Sequence, residues 1–143
     1  MKKLLFLLAI PMALSVTSCK KAGCTDVFAT NYNSKAKTND GTCTYQEKLI
    51  FWQDATEAGS WSSLGITGLK FYVDNQYIGS CVASEYMVNG QPTCSGTGQA
   101  STSINLGLSK SKVVTVELKD QNDNSLGTDN VTITAGSCST YQF

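Results

Sequence analysis

Lys112-Val113-Val114-Thr115-Val116-Glu117-Leu118-Lys119 places Val114, Val116 and Leu118 on one face of an extended chain and Thr115 and Glu117 on the other. That two-residue period marks a half-buried β-strand. The same alternation recurs where Leu69, Phe71 and Val73 oppose Lys70 and Tyr72, and where Val131, Ile133 and Ala135 oppose Thr132 and Thr134. Working outward, residues 48–53, 76–80, 101–108 and 140–143 are short runs of β-branched and aromatic residues bounded by turn formers. Asp74-Asn75, between two such runs, predicts a two-residue hairpin turn. About seven strands and no convincing helical period predict an all-β domain over residues 47–143, an antiparallel β-sandwich. A domain of that length buries enough surface to fold alone. No run contains proline; Pro92 falls in the loop spanning residues 86–98.

The segment before this domain has a different texture. Residues 24–45 read CTDVFATNYNSKAKTNDGTCTY, rich in Asn, Asp, Thr and Lys, with a turn signal at Asn39-Asp40-Gly41. So few aliphatic side chains build no core, and a segment this small needs a staple, which Cys24 and Cys43 can supply. Closing a loop of about 20 residues stabilises by roughly 3 kcal/mol in the chain-entropy model.

The chain opens MKKLLFLLAIPMALSVTSC. Lys2 and Lys3 form a positive start, residues 4–14 an apolar stretch, and residues 15–18 a small-residue approach to Cys19. About eleven apolar residues fall short of the roughly 20 needed to span a bilayer. Residues 1–18 therefore read as a cleaved signal peptide, and residues 19–23 as a tether. Val16-Thr17-Ser18-Cys19 resembles the lipobox of bacterial lipoproteins. The resemblance implies a diacylglyceryl group and an amide-linked acyl chain on Cys19, and two chains anchor stably where one does not. Lys20, rather than Asp, after the lipidated residue implies the outer membrane by analogy with Gram-negative sorting. Whether the protein faces the periplasm or the cell surface stays open, and the alternative at Cys19 is plain secretion with this thiol in a disulfide.

Charge excludes several functions. The chain holds 11 basic and 11 acidic residues, none of the basic ones arginine, and no histidine. Removing Lys2 and Lys3 leaves nine against eleven, a net charge of −2. Such a surface lacks the basic footprint of nucleic-acid binding. Without histidine, Ser-His-Asp and Cys-His catalysis and the usual catalytic zinc sites are excluded, and no catalytic residue is assigned.

Six cysteines in an exported chain read first as disulfides. With Cys19 lipidated, Cys24, Cys43, Cys81, Cys94 and Cys138 remain, an odd number. Gly23-Cys24-Thr25-Asp26, residues 29–33 (ATNYN), Ala36 and Asp40-Gly41-Thr42-Cys43 resemble a short module of secreted bacterial proteins that is compared with thrombospondin type 3 calcium repeats. That resemblance pairs Cys24 with Cys43; Val27 departs from it, where a proline is usual. Phe51-Trp52, residues 73–79, Pro92-Thr93-Cys94 and residues 131–138 resemble small lipoprotein domains with transthyretin-like or PEGA-type sandwiches. This second resemblance pairs Cys94 with Cys138 and leaves Cys81 as a free, apolar side chain at a strand end. A local bond from Cys81 to Cys94 is the alternative.

Calcium is the sharpest ligand hypothesis, since oxygen-rich turns suit a hard cation. Its candidate ligands are Asp26, Asn39 and Asp40, with Asn31 and Asn33 nearby; the competing reading is that these side chains cap turns. Residues 120–125 (DQNDNS) open like an EF-type loop, but Ser125 stands where glycine is required and Val131 where the bidentate glutamate is, so a polar hairpin loop is expected. Among Trp52, Trp61, Tyr77, Tyr86 and Tyr141, Trp61 in a predicted AGSWSS loop is the candidate for stacking on a sugar. Together these features lead to a non-catalytic, lipid-anchored envelope protein without a cofactor, bound to the membrane through its lipid. Its sandwich would serve as an interaction or structural domain for another envelope protein or a glycan. A calcium-dependent adhesion module or a glycan-binding surface protein is the competing reading.

Overall fold

The computed structural model describes residues 20–143; the signal segment and Cys19 lie outside the described residues. Nine strands and one helix follow in order: β1 (Ala22–Gly23), β2 (Thr38–Asn39), β3 (Tyr45–Trp52), α1 (Ala55–Ser63), β4 (Gly68–Val73), β5 (Gln76–Val82), β6 (Ala100–Gly107), β7 (Ser111–Asp120), β8 (Ser125–Thr134) and β9 (Ser139–Gln142). All seven runs expected from the sequence are strands, β3 to β9. They form a three-stranded sheet in the order β6-β3-β9 and a four-stranded sheet in the order β5-β4-β7-β8. Within these two sheets the pairs are antiparallel except β3 with β9, which is parallel and registers Phe51 with Tyr141; β1 and β2 form a separate parallel pair.

The two sheets close over one core. Leu49 and Phe51 from β3, Leu69, Phe71 and Val73 from β4, Ile104 and Leu106 from β6, and Val114, Val116 and Leu118 from β7 belong to a single buried cluster. The alternation read in the sequence is therefore the alternation of the sandwich interior. Phe51 and Phe71 meet across the sheets with ring centroids 5.1 Å apart. Asp74 and Asn75 take left-handed φ values of 47° and 65°, the conformation a type I′ hairpin demands and the reason Asp and Asn serve there.

The all-β sandwich expected from the sequence carries one short helix that the sequence reading did not place. Residues 58–63 (AGSWSS), expected as a loop, belong to α1. Asp54 caps its start: Oδ1 accepts from the Thr56 and Glu57 amides at 2.7 and 3.3 Å, and the Glu57 carboxylate accepts from the Asp54 amide. This is a capping box, whose N-cap alone is worth about 1 kcal/mol. The apolar period is weak because only Ala58 is fully buried on α1, so the cap and tertiary packing, rather than amphipathicity, make the helix.

Both disulfides read from the resemblances are present, Cys24–Cys43 with α-carbons 4.9 Å apart and Cys94–Cys138 at 5.3 Å. Cys81 is free and half-buried. Burial pushes its thiol up to about 12, with Glu85 adding to the rise, which keeps it protonated and inert. The stapled segment does not stand apart: Cys24, Ala29, Cys43 and Tyr45 are continuous with the sandwich core.

Candidate functional site

The site begins with a defect in the apolar pattern of β8. In the β7–β8 register, inward-facing Leu118 lies opposite Gly127 and inward-facing Val116 opposite Asp129. Directly paired residues share a face, so on its core-facing side β8 carries a glycine and a carboxylate, both exposed, where apolar side chains would fill the layer. The register also shifts beside Leu118, at a bulge. The result is a cleft of about 190 Å³ along the β8 and β9 edges, lined by Phe51, Trp61, Val116, Leu118, Leu126, Tyr141 and Phe143, with Glu117, Gly127 and Thr128 at its margin. Two other depressions, one bounded by Ser62 and Val82 and one by Asp74 and Thr102, have no aromatic lining.

Each aromatic wall is held by a different element. Phe51 projects from the central strand β3. Tyr141 is its register partner on β9, with rings 6.0 Å apart at 73°. Phe143 is fixed by its amide, which donates to the Trp52 carbonyl at 3.2 Å, and by an edge contact with Phe71 at 4.8 Å. Trp61 reaches the cleft from α1, where its half-buried ring packs on the core. Gln142 ties that helix to β9, its amide donating to Glu57 at 3.2 Å and to Asp54 at 3.4 Å. Burial raises the Tyr141 hydroxyl pKa, and the Asp129 carboxylate beside it adds to the rise. Glu117 already has a cation, Lys119, at 3.5 Å. Asp129 forms no ion pair among the described residues; its Oδ1 accepts from the Asn130 amide at 2.7 Å.

The residues singled out for calcium occupy a different place. Asp26 is engaged on both oxygens: Oδ1 accepts from the Phe28 amide at 3.0 Å, and Oδ2 accepts from the Tyr45 hydroxyl at 2.9 Å and pairs with Lys110 at 2.5 Å. A metal ion at Asp26 must displace the Lys110 ammonium. Asp40 accepts from the Thr42 amide and hydroxyl, and Asn39 from the Gly41 amide. Asn31 receives the Thr44 amide and Asn33 the Lys35 amide. All are turn caps except Asn31, which ties its turn to the distant Thr42–Thr44 segment. Among the described residues no group of three or more His, Cys, Asp or Glu is placed to hold a metal. The loop after β7 is the expected polar hairpin: Asp120 accepts from the Asn122 and Asn124 amides, both at 2.8 Å, and Asp123 pairs with Lys70 at 2.6 Å.

The Asp26 pair gives a pH signature. Lys110 first, then the Phe28 amide and the Tyr45 hydroxyl, hold the Asp26 carboxyl down at about 2, against an ordinary value of 3.8. A depressed carboxylate contributes stability that is complete above its unfolded pKa and is lost as pH falls through the folded one. Asp26→Asn should therefore melt below the wild type at neutral pH, and the two melting curves should converge between about pH 4 and about pH 2. Parallel curves across that interval would show that the pair contributes nothing.

The five aromatics considered for sugar stacking do not form one platform. Trp61 and Tyr141 line the cleft, Trp52 is buried, Tyr86 lies exposed in a loop, and Tyr77 stacks edge-on against Tyr72 at 5.6 Å. Comparison of the chain with protein-family models, with curated proteins and with solved structures finds no match. The cleft's own chemistry is what bears on function. Sequence reading missed it because the alternation that marks the last long strand shows only from Val131 onward, whereas β8 starts at Ser125. Gly127 and Asp129 are poor strand formers, and their pairing with Leu118 and Val116 follows only from the β7 register.

Proposed function

We propose that this protein is a non-catalytic, lipid-anchored component of the cell envelope, whose sandwich is an interaction domain that binds through the cleft between β8 and β9. The observation that carries the reading is the cleft's lining: four aromatic rings and three aliphatic side chains, with Glu117 and Thr128 as polar groups at its margin. Such concave, mostly apolar sites with a few polar groups are binding sites. The VTSC lipobox supports the anchor, on the outer membrane, with the stapled segment 24–45 between the lipid and the sandwich.

Two measurements test the halves of this reading. Mass spectrometry of protein purified from membranes should place the mature N-terminus at Cys19 with a diacylglyceryl adduct, and Cys19→Ala should release the protein to the soluble fraction. An unmodified Cys19 refutes the anchor. A photo-crosslinking side chain at Thr128, beside the cleft, should trap a discrete adduct in intact cells that the exposed control position Ser109 does not. Equal labelling from both positions refutes the cleft as the binding face.

A further inference from the structure

The cleft's walls and the carboxylate beside its Tyr141 wall specify a ligand class. Phe51, Trp61, Tyr141 and Phe143 line a volume of about 190 Å³. A cavity of roughly 150 Å³ takes a benzene-sized guest, so the space suits a compact group of five to eight heavy atoms. Aromatic rings carry negative faces and attract cations without needing hydrogen bonds. Asp129 is exposed at the rim of the cleft, paired with Val116 in the β7–β8 register, beside the Tyr141 wall and without a lysine partner among the described residues. Every basic residue is a lysine, and none lines the cleft. Glu117 is neutralised by Lys119, which lies 4.8 Å over the Tyr72 ring.

We infer that the cleft is a site for an organic cation of the alkylammonium class, a trimethylammonium head seated among the four rings with Asp129 as its counter-charge. The inference rests on the cleft being the binding face proposed above. A diffuse methylated cation loses less hydration on entering an apolar site than a primary ammonium does, and it is drawn to aromatic ring faces without needing hydrogen-bond acceptors. An anionic ligand such as a fatty acid would meet Asp129 with like charge and is disfavoured.

The test compares choline with its uncharged carbon isostere, in which a tert-butyl group replaces the trimethylammonium head. Both are titrated into the whole mature lipoprotein in a detergent with an uncharged headgroup, with tryptophan fluorescence as the readout. The two probes have the same shape, so only charge separates them. Choline should bind roughly tenfold tighter than the isostere, Trp61→Leu should remove the response, and Asp129→Asn should shrink the preference to about threefold or less. Equal binding of the two overturns the cation assignment while leaving an apolar binding cleft intact. No saturable response to either overturns the assignment as well, and the Thr128 adduct then reports separately on whether the cleft is the binding face.

Discussion

Gly98→Ala should lower the unfolding free energy by about 4 kcal/mol, the sum of a left-handed backbone penalty and an overpacking penalty of roughly 1–3 kcal/mol each. Gly98 sits at φ +58°, and a β-carbon there would fall 2.2 Å from the Phe51 carbonyl oxygen and 2.6 Å from Ile50 Cγ2. The obstacle is the backbone of the central strand, which cannot swing aside as a side chain does. The amide of Gln99 donates to that same Phe51 carbonyl at 3.0 Å, so moving the loop away also breaks a hydrogen bond. Gln53 reinforces the attachment of this loop: it is fully buried, and its amide donates to the Ala83 and Glu85 carbonyls at 2.9 and 2.5 Å. Urea unfolding measures the loss, and a change below about 1 kcal/mol would mean that the loop relaxes freely. Gly90→Ala is a graded control, since its φ is also positive at +73° but nothing lies within 4 Å of the added carbon.

Replacing Cys94 and Cys138 together with alanine should cost about 4 kcal/mol, the chain entropy released by opening a loop of this length, and lower the melting temperature by roughly 15 °C. The bond spans 44 residues, against 19 for Cys24–Cys43, and long closures constrain the unfolded chain more. It holds the loop that covers β3 against the start of β9, where Gln91 also donates to the Thr140 hydroxyl at 2.6 Å. Tyr141 follows directly, so the double variant should also loosen one wall of the cleft and weaken binding there. A loss of under about 1 kcal/mol would show that the loop is held by its hydrogen bonds alone. Peptide mapping without reductant should recover the Cys94–Cys138 pair and a free Cys81.

The sandwich was legible because its information is local. Val114-Thr115-Val116-Glu117-Leu118 alternates over five consecutive residues, and no partner is needed to see which face is apolar. Asp74-Asn75 announces its turn through residues that tolerate positive φ. The capping box of α1 was equally present, as Asp54 three residues before Glu57. It went unread because a nine-residue helix with two serines after Trp61 and Gly59 inside carries almost no apolar period.

The cleft and the fate of each carboxylate were not legible, since both depend on residues far apart in sequence. Asp26 meets Lys110 across more than eighty positions, and that encounter turns a candidate calcium ligand into one half of an ion pair. By itself the sequence determined the strand pattern, the turn at Asp74-Asn75 and the exclusion of histidine chemistry. All three are properties of residue type and nearest neighbours. The tertiary structure alone decided that β9 lies parallel to β3, that Gly127 and Asp129 pair with Leu118 and Val116, and that Trp61 walls the cleft beside them. Register and sheet order set those relations, and both arise from long-range burial that no local propensity encodes.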